Sequence, residues 1–262
     1  MAIAYPSELH RLSAEAIVGH FRGEPDVDAV LQVGSCARGK AEPSSCLDIA
    51  VLVRPEVLAT ERSALERRWE DYHRAEPIFR EGAKLARYGF AEVEFIDGVF
   101  LPGEHDYTSG PDGFELEIGN YLAHSVPLLE QSDYLSRLKT QWLPYYDDRL
   151  RARRLDLVRR CGLNNIDHVP YFTGRGLYFQ AFNRLYDAGR EFLQALFISR
   201  RTYPIAYDKW VCEQLVDILG LPGVYEELAH LYEIGQFESS EMVGKADRLL
   251  GLYERYVDRA TC

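Results

Sequence analysis

At 262 residues the chain has room for one large domain or two modest ones, and it can bury a real core without disulfide or metal staples. Hydrophobic residues make up 47% and charged residues 27%, as in an ordinary soluble globular protein, and no apolar run approaches the roughly 20 residues that span a bilayer. The formal net charge of −11 argues against duplex nucleic acid held on a broad basic surface, because phosphate neutralisation dominates such binding.

The five cysteines, Cys36, Cys46, Cys161, Cys212 and Cys262, are odd in number, scattered and without CxxC spacing. That pattern points to reduced thiols rather than a disulfide or zinc framework. The first residues lack the basic, apolar, small-residue order of a signal peptide, so a cytoplasmic location is expected.

In chain order, Ser7 caps a helix over 7–21 with Leu9, Leu12, Ala16, Ile17 and Val18 at helical spacing, and Gly23 and Pro25 end it. A short β-rich run over 27–33 follows. The run 47–53 is apolar on both faces apart from Asp48, the mark of a strand inside a sheet covered by helices. A charged helix is expected over 56–80, ending near Gly82. The stretch from Tyr88 to Phe100 alternates, with Ala91, Val93 and Phe95 on one face and Glu92, Glu94 and Ile96 on the other. A Gly/Pro/Asp-rich loop over 101–113 leads to a helix over 114–123 and a strand over 125–129.

From Ser132 the pattern turns helical. A stretch over 133–161 is broken at Pro144, and 173–200 reads as one helix. Its stripe of Tyr178, Phe182, Leu185, Gly189, Phe192 and Leu196 is of the kind that packs helix bundles. Three shorter helices follow, around 208–219, 224–234 and 238–257. The fold class is therefore α/β (α+β): a small mixed sheet flanked by helices over 1–131, followed by an all-helical bundle domain over 132–262.

The chemistry gathers around Gly34-Ser35. A strand ending in Gly-Ser and leading into a helix offers backbone N–H groups, a hydroxyl and a helix dipole to phosphate oxygens. Thirteen positions after the serine, Asp48 supplies a hard oxygen ligand for Mg²⁺, which binds through one or two carboxylates plus substrate phosphates. Glu92 and Glu94 share a face of the third strand, and one or both could point the same way as Asp48. The position two after Asp48, where a second carboxylate is expected, is Ala50.

Gly34, Ser35, Arg38 and Gly39, followed by Asp48-Ile49 in an apolar strand, resemble the signature of the nucleotidyltransferase superfamily of the polymerase-β type. The resemblance covers the first half. The second half looks like the helical domain of aminoglycoside and lincosamide nucleotidyltransferases, most of all over 196–210. The resemblance implies transfer of a nucleoside monophosphate from a nucleoside triphosphate, ATP being the first choice, to a hydroxyl acceptor. Two metal ions normally stabilise the attacking and leaving oxygens. It assigns Asp48 and Glu94 catalytic roles, Asp48 with Glu92 or Glu94 as metal ligands, and Gly34, Ser35 and Arg38 to the nucleotide. Apart from the resemblance, Lys209, at the start of a helix after the Pro204 loop, is a candidate to neutralise the triphosphate from the opposite wall. Alanine cannot ligate a metal, so three readings stay open: a silent member that still binds a nucleotide, an enzyme working with one metal or a replacement ligand, and a chain that has left nucleotide chemistry.

The other residues carry weaker signals. The polar face of the long helix, from Gln180 to Gln194, is expected to be solvent-exposed or internally paired, and Glu191 is a candidate base only if that face lines a cleft. The seven histidines show no metal spacing. Trp69, Trp142 and Trp210 read as packing residues. The acceptor and the oligomeric state are not legible, although an apolar helical half can support a dimer.

Overall fold

The structure is a computed structural model that describes residues 3–86, 89–104 and 106–257. Tyr88, the expected start of the third strand, and Cys262 lie outside the described residues. By its internal contacts the chain divides into two compact units. The first runs up to Leu101 and resumes over Glu117–Leu143; the second comprises Pro102–Leu116 and the chain from Pro144 on. The division is thus not a single cut near Ser132, because a segment of the central loop packs with the helical unit. No helix among the described residues is long and apolar enough to cross a membrane.

The first unit is built on a sheet of order β3-β2-β1-β4 among the described residues. Strand β1 (Val27–Gln32) pairs antiparallel with β2 (Leu47–Val53) and with β4 (Val126–Glu130), and β2 pairs parallel with β3 (Ala91–Ile96). All six β1 positions are buried, and every β2 position is buried except Asp48. On one face, Val30, Leu47, Ile49, Val51, Val53 and Phe95 form a core with helices α1 (Glu8–Arg22), α3 (Pro55–Ala75) and α4 (Pro77–Gly82). Between β1 and β2 lies α2 (Gly34–Ala37), a single helical turn. The one helix expected over 56–80 is two. Pro77 removes a backbone donor and holds Glu76 extended (φ −74°, ψ 121°), so the chain bends there and a new helix starts.

After α5 (Phe114–Ile118) the chain makes a π-helical turn over Gly119–Ala123 and enters β4. Helix α6 (Tyr134–Trp142) then approaches the second face of the sheet. A Cβ at Gly98 would meet Leu138 and Leu52, and the Tyr134 hydroxyl donates to the Asp97 carbonyl at 2.7 Å. His10, fully buried on α1, reaches the Ser45 carbonyl at 3.1 Å and so fixes the loop that feeds Asp48 into β2.

The second unit is led by α7 (Asp148–Thr173) and α8 (Tyr178–Ser199). A π-helical segment over Glu213–Ile218, α9 (Pro222–Leu231) and α10 (Glu241–Tyr256) complete the described bundle. The expected stripe of α8 does enter the core, through Leu185, Phe192 and Leu196, with Tyr178 and Phe182 packed against it. Its polar face agrees with expectation only in part: Gln180 and Asn183 are exposed and Asp187 pairs with Asn183 and Arg190, but Arg184, Asp187, Glu191 and Gln194 are buried. Buried polar groups require partners, and each of these four side chains has at least one. The helix also starts later than expected, because α7 runs on to Thr173 before Gly174 and Gly176 turn the chain.

Candidate functional site

At the end of β1 the chain turns through Val33 into Gly34, whose φ of +65° lies in the left-handed region that side chains disfavour. The Val33 N–H donates to the Asp48 carbonyl at 3.0 Å, and Gln32 Nε2 donates to the same oxygen at 2.9 Å. These bonds lock the Gly-Ser turn against β2 at the aspartate. A Cβ at residue 34 would meet Asp48 Oδ2, with Cγ 3.2 Å away, so glycine is required by space as well as by conformation. Ser35 follows, half-buried, and its carbonyl accepts from the Lys40 N–H at 3.0 Å. The helix expected after Gly-Ser is only the one turn of α2, too short to develop a macrodipole. What the turn offers an anion is its backbone N–H groups and the Ser35 hydroxyl.

The register of β2 on β3 pairs Asp48 with Glu92 and Ala50 with Glu94. Opposed residues of neighbouring strands share a face, on chains about 4.8 Å apart. Asp48, Glu92 and Glu94 therefore stand on one face, with buried Ala50 at the remaining corner. Glu94 accepts a hydrogen bond from the Tyr121 hydroxyl at 2.7 Å. Burial, together with Glu94, lifts the Tyr121 phenol well above its ordinary range and keeps it a donor. The Cys46 thiol is pushed up to about 12, first by burial and then by its hydrogen bond to Asp48 and the charges of Asp48 and Glu92.

Sequence reasoning passed over both Cys46 and Tyr121. Cys46 carries a local signal, its spacing of two from Asp48 in extended chain. Tyr121 carries none, since it lies 27 residues from Glu94.

Among the described residues no three His, Cys, Asp or Glu side chains gather into a group that could hold a metal ion. The donor set therefore does not fit a preformed two-metal centre. Strand register sets Asp48 and Glu92 side by side, two carboxylates of the hard-oxygen type that Mg²⁺ takes. Arg38 follows α2, half-buried, with its backbone N–H on the Cys36 carbonyl. Lys209 belongs to the second unit, where it is exposed ahead of the Glu213–Ile218 segment and its carbonyl accepts from Gln214 at 3.0 Å. A cavity of about 790 Å³ opens along the outer edge of β3, walled by Trp69, His73, Phe79 and Val93; neither Gly34 nor Asp48 lines it.

The second unit holds a buried polar network that sequence patterning did not reveal. The Arg154 guanidinium clasps Asp112 with two bonds of 2.6 Å and Glu115 with bonds of 2.7 and 3.0 Å. Gln194 Nε2 donates to the same two carboxylates at 2.9 and 2.7 Å, and the Tyr146 hydroxyl donates to Glu115 at 2.7 Å. Burial works against the Arg154 charge, but Glu115 and Asp112 outweigh it and hold the guanidinium's pKa above its usual value. Glu191, the conditional base, is fully buried and accepts from Asn165 at 2.8 Å; Asn165 in turn accepts from Arg184 at 2.6 Å. It serves this interior network and no cleft.

The fold and site together define a mixed α/β unit that presents a Gly-Ser turn against a strand aspartate, joined to a helical unit. No protein-family profile matches the chain, and no curated protein matches it. Among solved structures, the chain is similar to a nucleotidyltransferase-like protein from Exiguobacterium sibiricum, at 12% sequence identity over 93% of this chain and 74% of that one, with a TM-score of 0.47.

Proposed function

We propose that the first unit binds a nucleoside triphosphate with Mg²⁺, and that the chain is a nucleotidyltransferase-type module whose transfer of a nucleoside monophosphate to a hydroxyl acceptor is lost or severely impaired. The observation that carries this reading is the Asp48 carboxylate set directly against Gly34, with Glu92 beside it in register and a buried alanine at position 50. The Gly34-Ser35 turn would meet phosphate oxygens, and Asp48 and Glu92 would hold the ion, which supplies charge neutralisation when bound. In-line transfer depends mostly on positioning and charge stabilisation, so a missing carboxylate acts directly on the rate. Glu94, engaged by Tyr121, stands opposite Ala50 and does not replace it.

Calorimetric titration with ATP, GTP, CTP and UTP, with and without Mg²⁺, tests the proposal. The expected result is Mg²⁺-dependent binding that Asp48→Asn abolishes, without pyrophosphate release. Absence of binding to every triphosphate overturns the nucleotide reading. Steady pyrophosphate release in the presence of a hydroxyl acceptor overturns the inactive one and makes the chain a working transferase.

A further inference from the structure

The second unit contains a cavity of about 250 Å³ between α8, α9 and the chain around residue 208. Four tyrosines line it, Tyr186, Tyr207, Tyr225 and Tyr232, with Arg190 and Asp208 as its charged residues; apolar side chains of α8 and α9 close the remainder. Tyr186 and Tyr232 meet at 5.8 Å between centroids, with planes inclined at 62°. Gly189 makes this packing possible, since a Cβ there would run into the Tyr232 hydroxyl.

The charge at the cavity follows from the pairing. Arg190 is engaged by Asp187, its partner at 3.2 Å, and its guanidinium stands 5.8 Å from the Tyr186 ring centroid. That positive charge is matched, and Asp187 also accepts from Asn183 at 3.0 Å. Asp208, exposed at the wall, adds a further negative charge. The cavity thus combines four tyrosines with one lining guanidinium, already engaged by Asp187, and one exposed lining carboxylate, Asp208. Ring faces attract cations through their quadrupole and attract neutral alkyl groups only through burial.

We infer that this cavity binds an organic ammonium ion carrying short alkyl substituents. The size agrees, since a void of roughly 150 Å³ already admits a benzene ring. The assignment uses residues of the second unit alone and is independent of the nucleotide reading. Tyr207 and Asp208 lie in the segment over 196–210 that stood out in the sequence, so that segment acquires a role that Lys209 alone did not give it.

The test is calorimetric titration of the full chain with choline, with its neutral tert-butyl isostere and with benzoate, backed by ligand-observed NMR. Choline is expected to bind about ten-fold tighter than the isostere, and benzoate not at all. Asp208→Asn and Tyr225→Leu are each expected to weaken choline about five-fold, and Tyr225→Phe, which keeps the ring, to leave it unchanged. Unfolding midpoints report whether the variants fold; Asp208 is exposed, so its variant remains informative if Tyr225→Leu does not fold. Equal binding of choline and isostere, preference for benzoate, no choline binding at tens of millimolar, or indifference to Asp208→Asn each overturns the assignment.

Discussion

Asp48 and Gly34 are fitted to one another: the carboxylate fills the space where a side chain at residue 34 would lie, and residue 34 sits at φ +65°. Gly34→Ala therefore faces both a left-handed backbone and a collision with Asp48. The expected loss of stability is about 1–3 kcal/mol, measured by urea denaturation. If the turn and the aspartate act on one ligand, Mg²⁺-dependent triphosphate affinity falls more than ten-fold by calorimetry. Unchanged affinity would detach the turn from the binding site.

Ala50→Asp returns a carboxylate to the corner opposite Glu94. The position is fully buried, so without metal the variant is expected to lose ~3 kcal/mol, the scale of an uncompensated buried charge. Addition of Mg²⁺ with ATP should recover part of that loss in a thermal melt, and pyrophosphate release should rise above the wild-type level. A penalty that Mg²⁺ leaves untouched would place residue 50 outside the ion's reach.

The thiols of Cys36 and Cys46 are both pushed up to about 12, by burial first and by Asp48 next. An acid whose folded pKa is raised stays protonated in the fold after the unfolded chain has released its proton. These two groups therefore leave stability unchanged below pH 9 and reduce it as pH rises from about 9 to 12. Chemical denaturation across that window should show the decline. Asp48→Asn removes the charge and leaves only a neutral amide acceptor, so its slope should be shallower and Cys46 should alkylate faster at pH 8.5 or thereabouts, read by mass spectrometry.

Arg154→Met removes the cation that Asp112 and Glu115 share. The two carboxylates keep the Gln194 and Tyr146 donors but lose their countercharge, and a loss of about 3–5 kcal/mol is expected near neutral pH. Urea denaturation of the wild type and the variant measures the loss. A loss below about 1 kcal/mol would mean that the carboxylates do not depend on the Arg154 charge.

Some of this was legible locally. The apolar run of β2 interrupted only at Asp48, the alternation of β3 and the stripe of α8 each follow from a period of two or of 3.6 residues, and each became the expected element. The break at Pro77 was present in the sequence too, but a strongly helical charge pattern on both sides masked it. The inward polar face of α8 was not legible. Periodicity distinguishes apolar from polar, and it cannot tell a polar group facing water from one facing a buried partner. Glu191 and Gln194 look alike in either setting until Asn165, Asp112 and Glu115 are brought to them from 26, 82 and 79 residues away.

By itself, then, the sequence determined the class of fold, the Gly34-Ser35 turn, the exceptional Asp48 and the alanine two positions later, because each is a matter of neighbours along the chain. Only the tertiary structure decided that Glu92, and not Glu94, stands opposite Asp48, that Tyr121 engages Glu94, and that Pro102–Leu116 joins the helical unit. Those outcomes depend on strand register and on contacts between distant segments, and neither is written in the spacing of adjacent residues.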